Sequence, residues 1–221
     1  MIVLVLILLI VIVTLAGFNK QSFFDRFSFW IRGIINYKQY ERIITSIFLH
    51  IDYLHLFFNL FSFYSFAVHL EKSFGNIFLL IIFFGSGIMG NLLALLIHRK
   101  RGDYRAAGAS GAIAGVIFSS VLIFPTAKII IFPIPIGMPP WLFAIIFVFV
   151  SLYGIGRQAG NIGHEAHLGG ALTGILLTIW IHPWVFQNNL ILTLVLLIAV
   201  LIFFFNYLKN PGKSHFKHKD F

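Results

Sequence analysis

Three short groups of polar residues interrupt an otherwise apolar chain. His50, His55 and Asn59 lie in one stretch, Gly108-Ala109-Ser110-Gly111 in a second, and His167 in a third. Hydrocarbon offers no water to such groups, so their presence inside apolar segments is costly and points to function. A serine hydroxyl and an imidazole are the minimum parts for nucleophilic hydrolysis, because the ring can take the proton that the hydroxyl loses on attack. His55 and Asn59 are four apart and share a helix face, and both can donate hydrogen bonds to developing negative charge. The same pair would serve equally as an interhelical polar link. His50 lies off that face and reads as a loop anchor near the site.

Ser110 opens a short apolar segment that also carries Gly108, Gly111, Ala112, Ala114 and Gly115. Gly111 and Gly115 form a G-x-x-x-G pair, which lets helices approach closely. Taken alone, the pair reads as plain packing. A helix this short, however, begins below one membrane surface, and its free N–H groups and positive dipole end meet at Ser110, where an oxyanion could be stabilised. The segment that starts Glu165-Ala166-His167 carries Gly170 and Gly174, nearly on the face of His167. Pressed together, the two small-residue faces would bring the imidazole within reach of the Ser110 hydroxyl.

A zinc centre would need His50, His55, His164 and His167, with Glu165 as base. The run His164-Glu165-Ala166-His167 has a three-residue spacing rather than the H-E-x-x-H of metalloproteases, so neither a metal nor another cofactor is expected. Cysteine is absent, which excludes disulfides, thiolate zinc sites and a cysteine nucleophile. His69, His98, His182, His215 and His218 fall at helix ends or in the tail, as solvated or interfacial histidines do.

The elements that must position these groups are membrane helices. The chain has 221 residues, 59% hydrophobic and 10% charged, with a mean hydropathy of +0.95. A soluble domain could not cover that much apolar surface. Spans of roughly 20 residues fit seven times: about Met1–Phe18, His50–Leu70, Ile77–Ile97, Ser110–Phe124, Trp141–Gly156, Glu165–Ile181 and Leu190–Leu208. Glu71-Lys72 reads as the stop of the second. The first lacks a basic leader region and a clear cleavage site, so it reads as a retained helix. Asn19–Thr45 is a connection rich in aromatics and cations, suited to the membrane interface. Pro125 to Trp141 holds five of the seven prolines and reads as a turn-rich connection. The expected organisation is an all-α polytopic membrane domain over 1–208 with a basic polar tail over 209–221. The net charge of +9 lies between spans and in the tail, where anionic lipid headgroups, not nucleic acid, are the simplest partner.

His50-x4-His55-x3-Asn59, then Gly108-Ala109-Ser110-Gly111, then Ala166-His167-x2-Gly170-x3-Gly174 together resemble the rhomboid intramembrane serine proteases. Gly160 to Gly170 and Glu71-Lys72 are similar to bacterial members, and the matches run in order from about Tyr40 to Gly174. The resemblance implies a six-helix core, here with a seventh C-terminal helix, in a bacterial inner membrane. It implies Ser110 as nucleophile, His167 as general base, no aspartate, and an oxyanion hole of His55, Asn59 and the Ser110 N–H. The first connection would be the half-embedded lateral element, and segment five with the loop near Arg157–Gly163 would gate and cap the substrate. Many members carry a bulky residue one turn after the serine, packed on the histidine ring; here that place is Ala114. The connection also has Glu41-Arg42 where some members have Trp-Arg.

The expected function is therefore hydrolysis of a peptide bond in or beside a transmembrane segment of another protein, with the substrate entering sideways from the lipid. A non-catalytic relative that binds membrane clients is one alternative. A small transporter is another, although none of the seven acidic residues sits near a span centre. Lys and Arg number fourteen on the side onto which Ser110 and His167 open, against two, Lys72 and Lys128, opposite. The positive-inside rule would face the site to the cytoplasm; the resemblance implies that it faces outward, and an embedded first connection favours the latter.

Overall fold

The computed structural model describes residues 1–131, 134–147 and 164–209. Helix α1 (Ile2–Asn19) leads into a connection built from α2 (Gln21–Phe27), strand β1 (Phe29–Trp30), α3 (Ile31–Ile35), α4 (Arg42–Thr45) and a 3-10 turn over Ser46–Phe48. Then follow α5 (Tyr53–His98), β2 (Arg105–Ala106), α6 (Ser110–Ile123), β3 (Ile129–Ile131) and β4 (Ile134–Met138). Helical turns over 140–147 form α7. The chain continues through α8 (His164–Ile181), α9 (Trp184–Asn188) and α10 (Leu190–Lys209).

Among the described residues the architecture is all-α apart from two small ribbons, and α6 is its centre. Every residue of α6 from Gly111 to Ile123 is buried, as expected of a helix that is apolar all round. Its 14 residues rise only about 21 Å, short of a hydrocarbon core of about 30 Å. Helices α5 and α8 pack on it and on each other. Helices α1 and α10 lie outside and present large apolar side chains outward, among them Leu4, Leu8, Ile12, Ile191 and Ile198. Ile2–Asn19 and Tyr53–His98 are long and apolar enough to cross a membrane; Ser110–Ile123, Glu165–Ile181 and Leu190–Ile202 are shorter apolar helices.

Glu71-Lys72 does not stop the second segment. The helix runs on to Gly75, whose φ of 81° breaks it, so that α5 is two arms, 53–74 and 76–98. Only glycine takes that left-handed conformation cheaply. Glu71 stays buried because its carboxylate accepts from the Ile2 N–H, where the positive end of α1 favours an anion.

The first connection is more ordered than an interfacial loop. Arg42 does not snorkel; it is buried, with Nε donating to Gln39 Oε1 at 2.6 Å and Nη1 to the carbonyls of Asp25 (2.8 Å) and Ser28 (2.7 Å). Beside it, Glu41 meets Arg26 at 2.6 Å, and that guanidinium holds the carboxyl below its ordinary range. Strand β1 pairs with β2, Phe29 with Ala106 and Trp30 with Arg105, tying the connection to the chain just ahead of Ser110.

The proline-rich stretch contains an antiparallel hairpin, β3 with β4, in place of turns alone. A two-stranded ribbon has outward edges on which a missing N–H costs nothing. Of the fifth segment, α7 begins at Pro140, a residue favoured in a first helical turn. Residues 148–156 of that segment, the cap near Arg157–Gly163 and the tail from 210 lie outside the described residues.

Candidate active site

The site is assembled by glycines. A Cβ added to Gly170 would sit 1.9 Å from the Gly111 carbonyl oxygen, and one on Gly174 would sit 2.4 Å from that of Gly115. The G-x-x-x-G pair of α6 therefore lies directly on the glycine pair of α8, backbone against backbone. Gly90 of α5 closes the third side, where a Cβ would meet the Ala166 carbonyl at 2.4 Å. Small residues allow such approach, and here they fix the register of the two helices. Ser110 precedes Gly111, and His167 follows Ala166, whose carbonyl faces Gly111. Both thus stand at the opening turns of facing helices. Ser110 and Ala166 line one cavity of about 20 Å³ with Ser46, Asn91 and Gly108, room enough for a water molecule.

The start of α6 is electrically primed. It has no side-chain cap, so the first N–H groups of the helix lack intrahelical acceptors and carry its positive dipole end. The Ala109 N–H is already committed: it donates to His50 Nε2 at 3.4 Å. His50 is fully buried, and its Nδ1 lies 3.0 Å from Thr14 Oγ1, whose own proton goes to the Phe48 carbonyl at 3.0 Å. With that proton spent, Thr14 accepts from Nδ1–H, so His50 is neutral and its Nε2 is the acceptor. A chain from α1 through His50 thereby holds the turn before Ser110.

His55 stands in the first turn of α5, whose N-cap Asp52 accepts from the His55 N–H at 2.7 Å. Its ring lies edge-on to His50, centroids 4.9 Å apart. Gly108, with φ at 151°, passes beneath it. A Cβ there would sit 3.1 Å from His55 Nε2 and 3.5 Å from Ser110 Oγ. Glycine there is what lets the chain pass between the His55 ring and the Ser110 hydroxyl. Asn59 is less directly engaged: its amide nitrogen donates to the His55 carbonyl at 2.8 Å, leaving one further N–H on the same nitrogen. His167 is buried, with the ring of Phe147 5.4 Å away.

Three features escaped the sequence. His98 is not a solvated helix-end histidine: it is buried, stacked on Tyr104 at 4.0 Å, with Nε2 3.1 Å from Glu165 Oε1. His182 packs between Phe74 and Phe78, at 4.6 and 4.9 Å. Asn91 donates to the Ile43 carbonyl at 2.7 Å and to Ser46 Oγ at 3.1 Å, fastening α5 to the first connection beside the cavity. An asparagine within an apolar run was the signal available for this last contact. The His164 side chain is outside the described residues.

The described residues thus form a helical bundle in which a serine at an uncapped helix start and a histidine in the opening turn of the facing helix come from adjacent turns. Residues 37–184 match the family described as Rhomboid domain, and the chain belongs to the rhomboid family, whose members are membrane-embedded. It is 31% identical over 137 residues to "Rhomboid protein 1, mitochondrial" of Saccharomyces cerevisiae, covering 61% of this chain and 40% of that one. It is 30% identical over 142 residues to "Rhomboid protease GluP" of Bacillus subtilis, covering 64% and 26%. It is also 36% identical over 80 residues to "Inactive RHOMBOID-like protein 8" of Arabidopsis thaliana, covering 36% and 23%. The chain thus spans less than half the length of each of these three relatives.

Proposed function

We propose that this chain is an intramembrane serine endopeptidase of a bacterial cell membrane, cleaving peptide bonds in or beside transmembrane segments of other proteins. Ser110 Oγ attacks the scissile carbonyl, and His167 takes its proton and returns it to the leaving amine. Water then releases the acyl-enzyme. The oxyanion is received by the Ser110 N–H at the uncapped start of α6, with His55 and Asn59 donating from α5. No metal or cofactor takes part. The substrate segment enters laterally from the lipid and must unwind locally, since a helix occupies its own carbonyls. Glycine, proline or small residues near the cleaved bond favour this.

The interlock of Gly111 and Gly115 with Gly170 and Gly174 supports this reading most strongly, because it sets the serine and histidine turns side by side. The relative named inactive supports a second reading, a client-binding protein without turnover. Purified chain, mixed with a tagged transmembrane substrate, separates them. Cleavage is expected from wild type and lost in both Ser110→Ala and His167→Ala. Substrate capture without cleavage by folded wild type favours the second reading, and cleavage that survives Ser110→Ala contradicts the mechanism. His55→Ala or Asn59→Ala is expected to slow turnover on the order of 10²–10³-fold, the usual loss for one oxyanion donor.

A further inference from the structure

One contact at the start of α8 has no part in the chemistry above. The Phe147 ring of α7 has its centroid 5.4 Å from that of the His167 imidazole, with the planes 37° apart, within the 4.5–7 Å range of attractive ring pairs. Phe147 is braced in turn by Phe118 of α6, 6.2 Å away at 71°, and by Phe143 one turn earlier, at 6.4 Å. Phe143 reaches Phe66 of α5 at 5.2 Å. One turn after Ser110, on the serine's own helix, Ala114 is fully buried and offers only a methyl group.

An imidazole that takes a proton from one partner and passes it to another needs a fixed plane. A misplacement of about 1 Å costs on the order of 10²-fold in rate. A ring packed against the imidazole restricts that plane while leaving both nitrogens to their own partners. Phe147 is placed to do this, and Phe118 keeps Phe147 from rotating away. The support comes from α7, however, not from α6 or α8. Among the described residues, no side-chain hydrogen bond or ion pair joins α7 to the rest of the bundle. Its described residues are seated by Phe143, Ala144, Ile145 and Phe147, an apolar attachment.

We infer that Phe147 is a positioning residue for His167, and that seating of α7 on the bundle is what keeps this ring against the imidazole. The inference rests on His167 being the general base. Movement of α7 away from α5 and α6 would carry the ring with it and leave the site idle. The geometry of the base is in this way made conditional on the helix that borders the site.

The test uses the full chain in detergent and two readouts. One is the rate at which a small fluorophosphonate labels Ser110, which needs the base but no transmembrane substrate. The other is kcat and KM for cleavage of a transmembrane test substrate. Phe147→Ala and Phe147→Leu are both expected to slow labelling by about 10–10²-fold and to lower kcat by a similar factor, with KM unchanged. Phe147→Tyr, which restores a ring in the same place, should return both rates close to wild type. Should Phe147→Ala fail to fold by thermal melt, Phe147→Leu, which fills the space without a flat face, decides the matter. Labelling at the wild-type rate in Phe147→Leu, or an effect confined to KM, overturns the assignment. His167→Ala is the separate control: labelling undiminished there refutes the base itself, whatever the Phe147 variants do.

Discussion

Two regions hold the chain around Ser110 by opposite means. Where α5, α6 and α8 meet, side chains have been removed, and carbonyl oxygens of Gly111, Gly115 and Ala166 lie where a Cβ would otherwise stand. In the first connection a side chain has been added: Arg42 reaches inward and gathers Gln39 and the carbonyls of Asp25 and Ser28. At Gly170, Gly174 and Gly90 the seam is all or nothing, since backbones packed that closely cannot yield to an extra atom by rotating a side chain. The network is graded, because each hydrogen bond contributes a modest share and can be lost singly. The geometry of the proposed site depends on the seam, and the network supports it from outside.

The largest effect separating the two should come from Gly170→Val. With a Cβ 1.9 Å from the Gly111 carbonyl, α8 cannot dock, and size-exclusion chromatography should find no monodisperse protein while cleavage is abolished. Gly85→Ala is the contrast within the same bundle. Its Cβ would meet only the tip of Leu177, at 2.8 Å, so folding and activity should survive. A tolerated Gly170→Val would erase the distinction between seam and network.

Arg42→Ala should come next. It strands three acceptors at about 1 kcal/mol each, so thermal melts in detergent should show a loss of about 3 kcal/mol. Fluorophosphonate labelling below the melt should stay near wild type. Arg42→Lys should fall between, since an ammonium cannot reproduce the guanidinium fork.

Thr14→Val tests the link from α1 to the serine turn. It removes the acceptor of His50 Nδ1–H and the donor to Phe48, a cost of about 1–2 kcal/mol that chemical denaturation can measure. Labelling should slow along with it, because the Ala109 N–H then loses a fixed partner.

The smallest effect belongs to Glu41→Gln, at an exposed ion pair with side chains 48% and 41% accessible. Such pairs contribute under about 1 kcal/mol. Because Arg26 lowers the Glu41 carboxyl below its ordinary range, the pair stabilises above that range and is lost as pH falls through the lowered value. Wild type and variant melts should therefore differ slightly at neutral pH and converge in acid.

Much of this was legible from residue spacing. Gly111, Gly115, Gly170 and Gly174 recur at the helical period, so their shared faces follow from the sequence, and α6 and α8 begin within a residue of where the apolar patterning places them. The exceptions have physical reasons. Glu71-Lys72 reads as a helix stop because charge is costly in a span, yet the Ile2 N–H supplies Glu71 with a partner from a distant helix. Arg42 and His98 read as interfacial because type and local position give no sign of Ser28 or Glu165 nearby. Prolines hide the hairpin at β3 and β4 because turns and edge strands tolerate them alike. Phe147 is one of 27 phenylalanines, and only tertiary packing brings this one to His167.

The most direct measurement is a disulfide across the seam. The chain has no cysteine of its own, and a Cβ on Gly111 would lie 3.4 Å from the Ala166 Cβ, close to the roughly 3.5–4.5 Å that a disulfide spans. In membranes carrying Gly111→Cys with Ala166→Cys, mild oxidation should lock α6 to α8 in nearly every molecule, read as a mobility shift that reductant reverses. That outcome would fix the register that the proposed Ser110–His167 dyad requires. An uncrosslinked pair in folded protein, with both thiols still reactive toward maleimide, would contradict it.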